Sequence, residues 1–239
     1  MNIVRLKEVN STNMYAKINL ADLPDRTVIC ADRQTAGRGR FERIWVDLGC
    51  DNIFMSIVLK PSNEFLKVYP NLTQYMAVVI CKTLELYGVK PSIKWPNDVL
   101  ISSKKIAGIL SETVMQGKDM KGLVLGAGIN INSDKNSISL IPDRCVTALN
   151  LEIGQKIAKD KFISDLLAEF FKNYDEFLDE GFQMIKDEYI KRACFLDKNI
   201  SVQVFNETKS GIARTVNDDG ELVLENNNKE LVLTMGDIL

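Results

Sequence analysis

The chain has 239 residues, 46% of them hydrophobic, enough for one large domain or one domain with a small appendage. Its net charge of −2 argues against a general nucleic-acid binder, and the absence of histidine removes Ser-His and Cys-His nucleophiles, histidine bases and histidine-ligated metals. The cysteines Cys30, Cys50, Cys81, Cys145 and Cys194 are widely spaced without a CxxC. They exclude a disulfide framework and a zinc site and point to a reducing cytoplasm. The N-terminus lacks an apolar signal core, and no run approaches the ~18 apolar residues of a membrane span, so no membrane association is expected.

In chain order, "TVICADRQ" (residues 27–34) begins as a β-rich run, and a glycine-arginine loop follows it. "NIFMSIVLKP" (residues 52–61) reads as a mostly buried strand stopped by Pro61. Residues 69–87 place Leu72, Tyr75, Met76, Val79, Ile80, Thr83, Leu84 and Tyr87 at helical spacing, with Gly88 as the stop. "VKPSIKW" is a strand running into the turn "PND", and "VLIS" and "IAGILSETVM" are two strands around a polar link at residues 102–105. "LVLGAGININ" (residues 123–132) is a strand whose interior glycines mark a close approach by a ligand or another backbone. Residues 160–178 carry a strong amphipathic helix pattern, and "FQMIKDEYIKRA" continues as a second helix. From about Asp197 the pattern turns β, with turns at residues 209–211, 218–220 and 226–228. So small a β unit needs the main body to pack on. Strands with one long helix among them before Asn132 predict an α+β protein with a mixed sheet, not a doubly wound parallel one.

The loop "QTAGRGRFERIW" (residues 34–45) is neither a Rossmann fingerprint nor a Walker loop. Gly37 and Gly39 allow backbone N–H groups to converge on an anion. Arg38, Arg40 and Arg43 suit carboxylate or phosphate, and Trp45 suits stacking on a base. A solvated basic turn with a core tryptophan is the competing reading. Lys94 sits late in an apolar strand, either serving an anion or snorkelling to water from an edge.

"STN" (residues 11–13), "QTAGRGRFERIW", "KWPND" (residues 94–98), "KKIAGIL" (residues 104–110) and "GAGIN" (residues 126–130) occur in the order found in biotin protein ligases, which the chain resembles over nearly its whole length. The resemblance implies a mixed-sheet catalytic domain of the biotin/lipoate ligase type, residues 1–195. It also implies a small C-terminal SH3-like β-barrel domain, residues 196–239. The implied reaction has two steps. Biotin and Mg-ATP give biotinyl-5′-AMP and pyrophosphate, and a lysine of a biotin carboxyl carrier domain then takes the biotin and releases AMP. Attack of a carboxylate on phosphorus needs positioning and charge stabilisation, not a histidine base.

By the same resemblance Ser11, Thr12, Asn13 and Gln34 meet the biotin head, and Gly37, Arg38, Gly39 and Arg40 cover its carboxylate and the phosphates. Lys94 bridges carboxylate and α-phosphate, so Lys94, Arg38 and Arg40 are the catalytic set. Gly108 leaves room for the ligand, with a plain β-bulge as the competing reading. Arg40, Arg43, Trp45, Asn97 and Asn130 reach the nucleotide. Ser11 reads equally as the N-cap of a helix starting "MYAKINL". Mg²⁺ arrives on ATP, held by phosphates and water, and no protein-bound metal is expected. An exposed sheet edge is able to pair two chains into a homodimer or to dock the acceptor by strand addition. The common loop pattern is GRGRxGRxW; here Glu42 replaces the third glycine, which predicts a stiffer loop or a changed affinity with activity retained. Ligases that double as repressors carry a DNA-binding domain ahead of STN, and none fits before Ser11, so no operator binding is expected.

Overall fold

The structure, a computed structural model, describes residues 2–49, 51–60, 65–139, 141 and 145–239. Cys50, Pro61 and the Glu42 side chain lie outside what is described. The strands of the larger sheet are β1 (Ile3–Val9), β2 (Val28–Gln34), β3 (Ile53–Leu59), β4 (Pro91–Lys94), β5 (Asp98–Ile101), β6 (Lys104–Gln116) and β7 (Asp119–Ile129). They lie in the order β1-β2-β3-β7-β6-β5-β4. The β1–β2 pair is parallel and every other neighbour is antiparallel, so the sheet is mixed, as the sequence pattern predicts. The helices are α1 (Thr12–Ile18), α2 (Phe65–Val68), α3 (Leu72–Glu85), α4 (Lys135–Ser139), α5 (Leu149–Ile153), α6 (Lys159–Lys172), α7 (Tyr174–Glu180) and α8 (Phe182–Arg192). A second, antiparallel sheet follows: β8 (Asn199–Val204), β9 (Glu207–Val216), β10 (Leu222–Asn226), β11 (Lys229–Leu233) and β12 (Asp237–Ile238), ordered β11-β10-β9-β8-β12. It is consistent with an SH3-like unit.

Strand β3 is buried at every residue because both of its faces are covered. Side chains alternate across a strand, so neighbouring residues enter two different cores. Val28, Cys30, Ile57 and Leu125 join α3 and α6 in the larger core, whereas Ile29, Val58 and Val124 join Ala16 and Leu20 under α1. Strand register sets Ser56 opposite Gly126, Gly126 opposite Leu110, and Gly128 opposite Gly108. These residues share the parity of Val58 and Val124, so they belong to the α1 face. On that face Ser56, Gly126, Gly128 and Gly108 form a stretch without bulk, whereas the matching stretch of the opposite face carries Met55, Ile57 and Leu125. The thin face is where a cavity can open.

Helix α3 is buried almost all round, including Gln74, Ala77, Val78 and Cys81 outside the expected stripe. It lies between the sheet and helices α6 and α8, so it needs more than one apolar face. Arg192 of α8 is bound to Glu85 of α3 through two hydrogen bonds of 2.8 and 2.9 Å.

Several expectations differ from the structure. Residues 160–178 are not one helix. Asn173, at φ −122° and ψ 11°, separates α6 from α7 and lets both turn their aromatic residues onto Tyr75. The turn expected at residues 209–211 lies inside β9. The chain reverses earlier, between Val204 and Glu207, with Phe205 at φ 51°. The turns at residues 218–220 and 226–228 are present, with Gly220, Asn227 and Asn228 at positive φ. Strand β1 was not legible, because its charged residues Arg5, Lys7 and Glu8 leave only a weak alternation on an edge strand.

The β unit packs on the main body as its size requires. Val202, Ala213, Leu222 and Leu224 are continuous with the core around α3. The turn before β10 seats on the start of α3: Asn71 Nδ2 donates to Asp219 O (2.8 Å) and Gln74 Nε2 to Gly220 O (2.6 Å). Trp95 Nε1 also donates to Gly220 O at 3.3 Å, which ties the KWPND turn to the C-terminal unit. Gly220 is at φ +80°, and a Cβ there would meet Asn71 Nδ2 at 2.4 Å and Gln74 Oε1 at 2.5 Å. Gly220→Ala is therefore expected to destabilise the protein by about 1–3 kcal/mol. Chemical denaturation measures it; an unchanged midpoint would show that this seat contributes nothing to stability.

Candidate active site

A cavity of about 500 Å³ opens on the thin face of the larger sheet, beneath the arginine loop and against β12. Of the residues nominated from the sequence, Ser11, Thr12, Asn13, Gln34, Arg38, Gly39, Arg40, Arg43, Trp45, Lys94, Asn97, Gly108 and Asn130 all line it. Gly37 does not. Its carbonyl accepts the N–H of Trp45 at 3.0 Å, and a Cβ there would meet Trp45 O at 2.5 Å, so Gly37 lets the two legs of the loop lie side by side.

One end of the cavity is polar and uncharged at its surface. Ser11 occupies the N-cap position of α1 but makes no side-chain capping bond, so its hydroxyl is not spent on the helix. Gln34 Oε1 accepts from Thr12 N (2.8 Å) and Thr12 Oγ1 (3.2 Å), which fixes the amide and leaves Nε2 without a partner among the described residues. Asn13 is held more completely. Its Nδ2 donates to Leu110 O (3.2 Å) and Glu112 Oε2 (2.9 Å), and its Oδ1 accepts from Ser56 Oγ at 2.6 Å. Both amide protons are thus placed within the protein. Ser56 Oγ also lies 2.8 Å from Thr12 Oγ1, so this buried serine joins Asn13 to the Thr12–Gln34 pair. Burial pushes the Glu112 carboxyl up, but hydrogen bonds from Lys17 and Asn13 outweigh it and hold the group below its ordinary value.

The other end is cationic. The loop is a small hairpin: Gly39 N donates to Arg43 O (2.7 Å), Arg43 N to Arg40 O (3.1 Å) and Trp45 N to Gly37 O (3.0 Å). Those N–H groups are therefore spent inside the loop instead of converging on an anion, and the charge is presented by side chains. Arg40 Nη1 donates to Asp237 Oδ1 (2.7 Å), Gly236 O (3.0 Å) and Asn97 Oδ1 (3.4 Å). Its guanidinium also lies 4.9 Å from the Phe41 ring centroid. Burial lowers the Arg40 pKa, and the Asp237 charge opposes that shift. Arg43 Nη1 meets the other oxygen of Asp237 at 2.7 Å. Neither Arg38 nor Lys94 makes a side-chain hydrogen bond or ion pair among the described residues.

The floor is formed by Trp45 against two glycines. A Cβ on Gly128 would reach Trp45 Cε2 at 2.4 Å, and one on Gly108 would reach Cζ3 at 2.7 Å. Gly108 thus makes room for the tryptophan ring, and it pairs in register with both Asp98 and Gly128. The bulge in this strand pair falls one step away, between Val99 and Leu100. Trp45 Nε1 is buried without a partner among the described residues, a donor suited to a ligand acceptor. Lys105 Nζ sits 5.5 Å from the Trp45 centroid and 2.6 Å from Asp98 Oδ1. Asn97 is pinned by Nδ2 to Ile109 O (2.9 Å), and Asn130 by Nδ2 to Thr147 O (3.2 Å).

The Biotin/lipoate A/B protein ligase family matches residues 6–130. The biotin--[acetyl-CoA-carboxylase] ligase of Paracoccus denitrificans is 30% identical over 224 residues, covering 92% of each chain. The chain belongs to the biotin/lipoate A/B protein ligase family. The bifunctional ligase/repressor BirA of Bacillus subtilis is 35% identical over 205 residues, covering 85% of this chain. This chain spans only 63% of that relative's length. Among solved structures, the biotin protein ligase from Aquifex aeolicus in complex with biotin and ATP superposes with a TM-score of 0.85 at 25% identity. The match covers 100% of this chain and 97% of that one. The fold is that of the biotin protein ligases.

Within this family member, sequence reading missed Ser56, Glu112, Asp98, Lys105 and Asp237. Ser56 carried a signal, a lone hydroxyl in the apolar run of β3. Asp237 carried none, since it lies 197 residues from Arg40 in the chain. Gly128→Ala is expected to displace the Trp45 ring and cost about 1–3 kcal/mol by overpacking. Tryptophan emission would move to the red as Trp45 gains water while Trp95 stays buried; an unchanged spectrum would show that the ring does not rest on Gly128.

Proposed function

We propose that this protein is an ATP-dependent biotin protein ligase. It activates biotin as biotinyl-5′-AMP and passes the biotin to a lysine of a biotin carboxyl carrier domain. The observation that carries the reading is a single cavity with two unlike ends, hydroxyls and an amide at one and arginine and lysine at the other. A ureido ring both donates and accepts hydrogen bonds, which suits Ser11 Oγ and the free Nε2 of Gln34. A valerate chain reaches from there past the apolar floor. Its carboxylate then meets the cationic end beside the triphosphate. The family match and the likeness to ligases support the same conclusion.

In the first step a carboxylate oxygen of biotin forms a bond to the α-phosphorus of ATP, and pyrophosphate leaves. Both reactants are anions. Lys94, at the end of β4, supplies a point charge between them, and Arg38 and Arg40 take up charge as it moves toward the leaving pyrophosphate. Trp45 offers a face for the adenine, and Asn97 and Asn130 are fixed donors and acceptors beside it. Mg²⁺ enters with ATP as part of the substrate. In the second step the neutral amine of the acceptor lysine attacks the biotinyl carbonyl carbon and AMP leaves. The loop keeps water from the mixed anhydride meanwhile.

The free thiols of Cys30, Cys81, Cys145 and Cys194 support work in a reducing cytoplasm. Residues 1–195 carry both chemical steps in this reading, and residues 196–239 close the site from its far side.

Lys94→Ala is expected to slow biotinyl-AMP formation ~10²–10³-fold, the usual loss for one charged donor to a transition state. Single-turnover assays with labelled ATP measure it. A near-wild-type rate would remove Lys94 from the mechanism.

A further inference from the structure

Asp237 stands at the end of the chain, in the two-residue strand β12, and belongs to no part of the nucleotide or biotin recognition described above. It is buried. Its two oxygens are divided between two loop arginines, Oδ1 to Arg40 and Oδ2 to Arg43, each at 2.7 Å. The neighbouring Gly236 carbonyl takes a further bond from Arg40 at 3.0 Å. Every one of the Arg40 bonds to the protein is made through Nη1, so Nε and Nη2 stay unengaged among the described residues. One edge of the guanidinium is anchored and the other is left for a ligand.

We infer that Asp237 is a positioning residue: a clasp by which the C-terminal β unit holds the arginine loop over the cavity and presents the free edge of Arg40 to the ATP phosphates. This rests on the ligase reading for its ligand, though the clasp itself does not. A half-buried arginine gains from a counter-charge when no substrate is present, and a carboxylate shared by two arginines leaves them jointly positive. The clasp orders the loop without cancelling its field. Phe41, at φ +51° within the loop, adds a conformation that few non-glycine residues hold without outside support. The loop and β12 come from opposite ends of the chain, so the clasp also reports to the active site whether the β unit is seated.

The test uses Asp237→Asn and Asp237→Glu in the full chain. Hydrogen exchange of the loop amides in the free protein should speed up about tenfold in Asp237→Asn, the loss expected when a charge-assisted bond is removed. In pyrophosphate exchange, KM for Mg-ATP should rise about tenfold and KM for biotin by clearly less, and Asp237→Glu should recover most of both effects. Arg43→Gln removes one of the two loop contacts to Asp237, leaves the β unit untouched and should free the same amides in part, which covers the case in which Asp237→Asn does not fold. Unchanged loop protection in both variants, or equal rises in both KM values, would overturn the clasp. Absence of biotin-dependent exchange in the wild type would instead remove the ligase reading, and hydrogen exchange would still decide the clasp.

Discussion

The arrangement depends on keeping a guanidinium charged in a half-buried place. Burial strips Arg40 of part of its water and lowers its pKa, and groups that converge on it replace that hydration. Those groups are the Asp237 carboxylate, the Gly236 carbonyl and the Asn97 amide oxygen. They come from the KWPND turn and the last strand, so one side chain ties three distant parts of the sequence together. Trp95, next to Lys94, bonds to the turn that seats the β unit on α3. The cationic end of the cavity is thus held by the docking of the two sheets, not by the loop alone.

The sheet supplies the space. Alternation sends Met55, Ile57, Leu125 and Ala127 to the helical core and leaves Ser56, Gly126 and Gly128 on the other face. Glycine there is a matter of contact: a Cβ on Gly126 would come 2.2 Å from Asn13 Oδ1. The backbone floor lets Asn13 and Trp45 lie flat, and Ser56 fixes the polar residues above it. One face gives stability and the other gives room, within the same strands.

Much of this was legible in the chain. The mixed sheet, the buried β3 and the seating of the small β unit followed from hydrophobic period and turn residues. The nominated site residues, apart from Gly37, line one cavity because KWPND and the arginine loop are local motifs with local chemistry. What was not legible depends on long-range pairing. Asp237 is an ordinary acidic residue in the sequence and acquires its meaning only opposite Arg40 and Arg43. Glu112 reads as a strand residue until Asn13 and Lys17 are brought to it. The loop glycines suggested a backbone anion nest, yet hairpin bonding spends the N–H of Gly39 and the carbonyl of Gly37, a choice that glycine content alone does not reveal. The break at Asn173 was hidden because the aromatic pattern continues through it while the backbone does not.

The central claim is that one cavity activates an acid bearing a ureido head with ATP. ATP–pyrophosphate exchange by the wild-type protein, with biotin and separately with lipoate as the acid, tests it most directly. The account predicts exchange with biotin and none above background with lipoate. Exchange with lipoate alone would contradict the assignment of Ser11 and Gln34 to a ureido ring, and exchange with neither would contradict the reading of the cavity as an adenylation site.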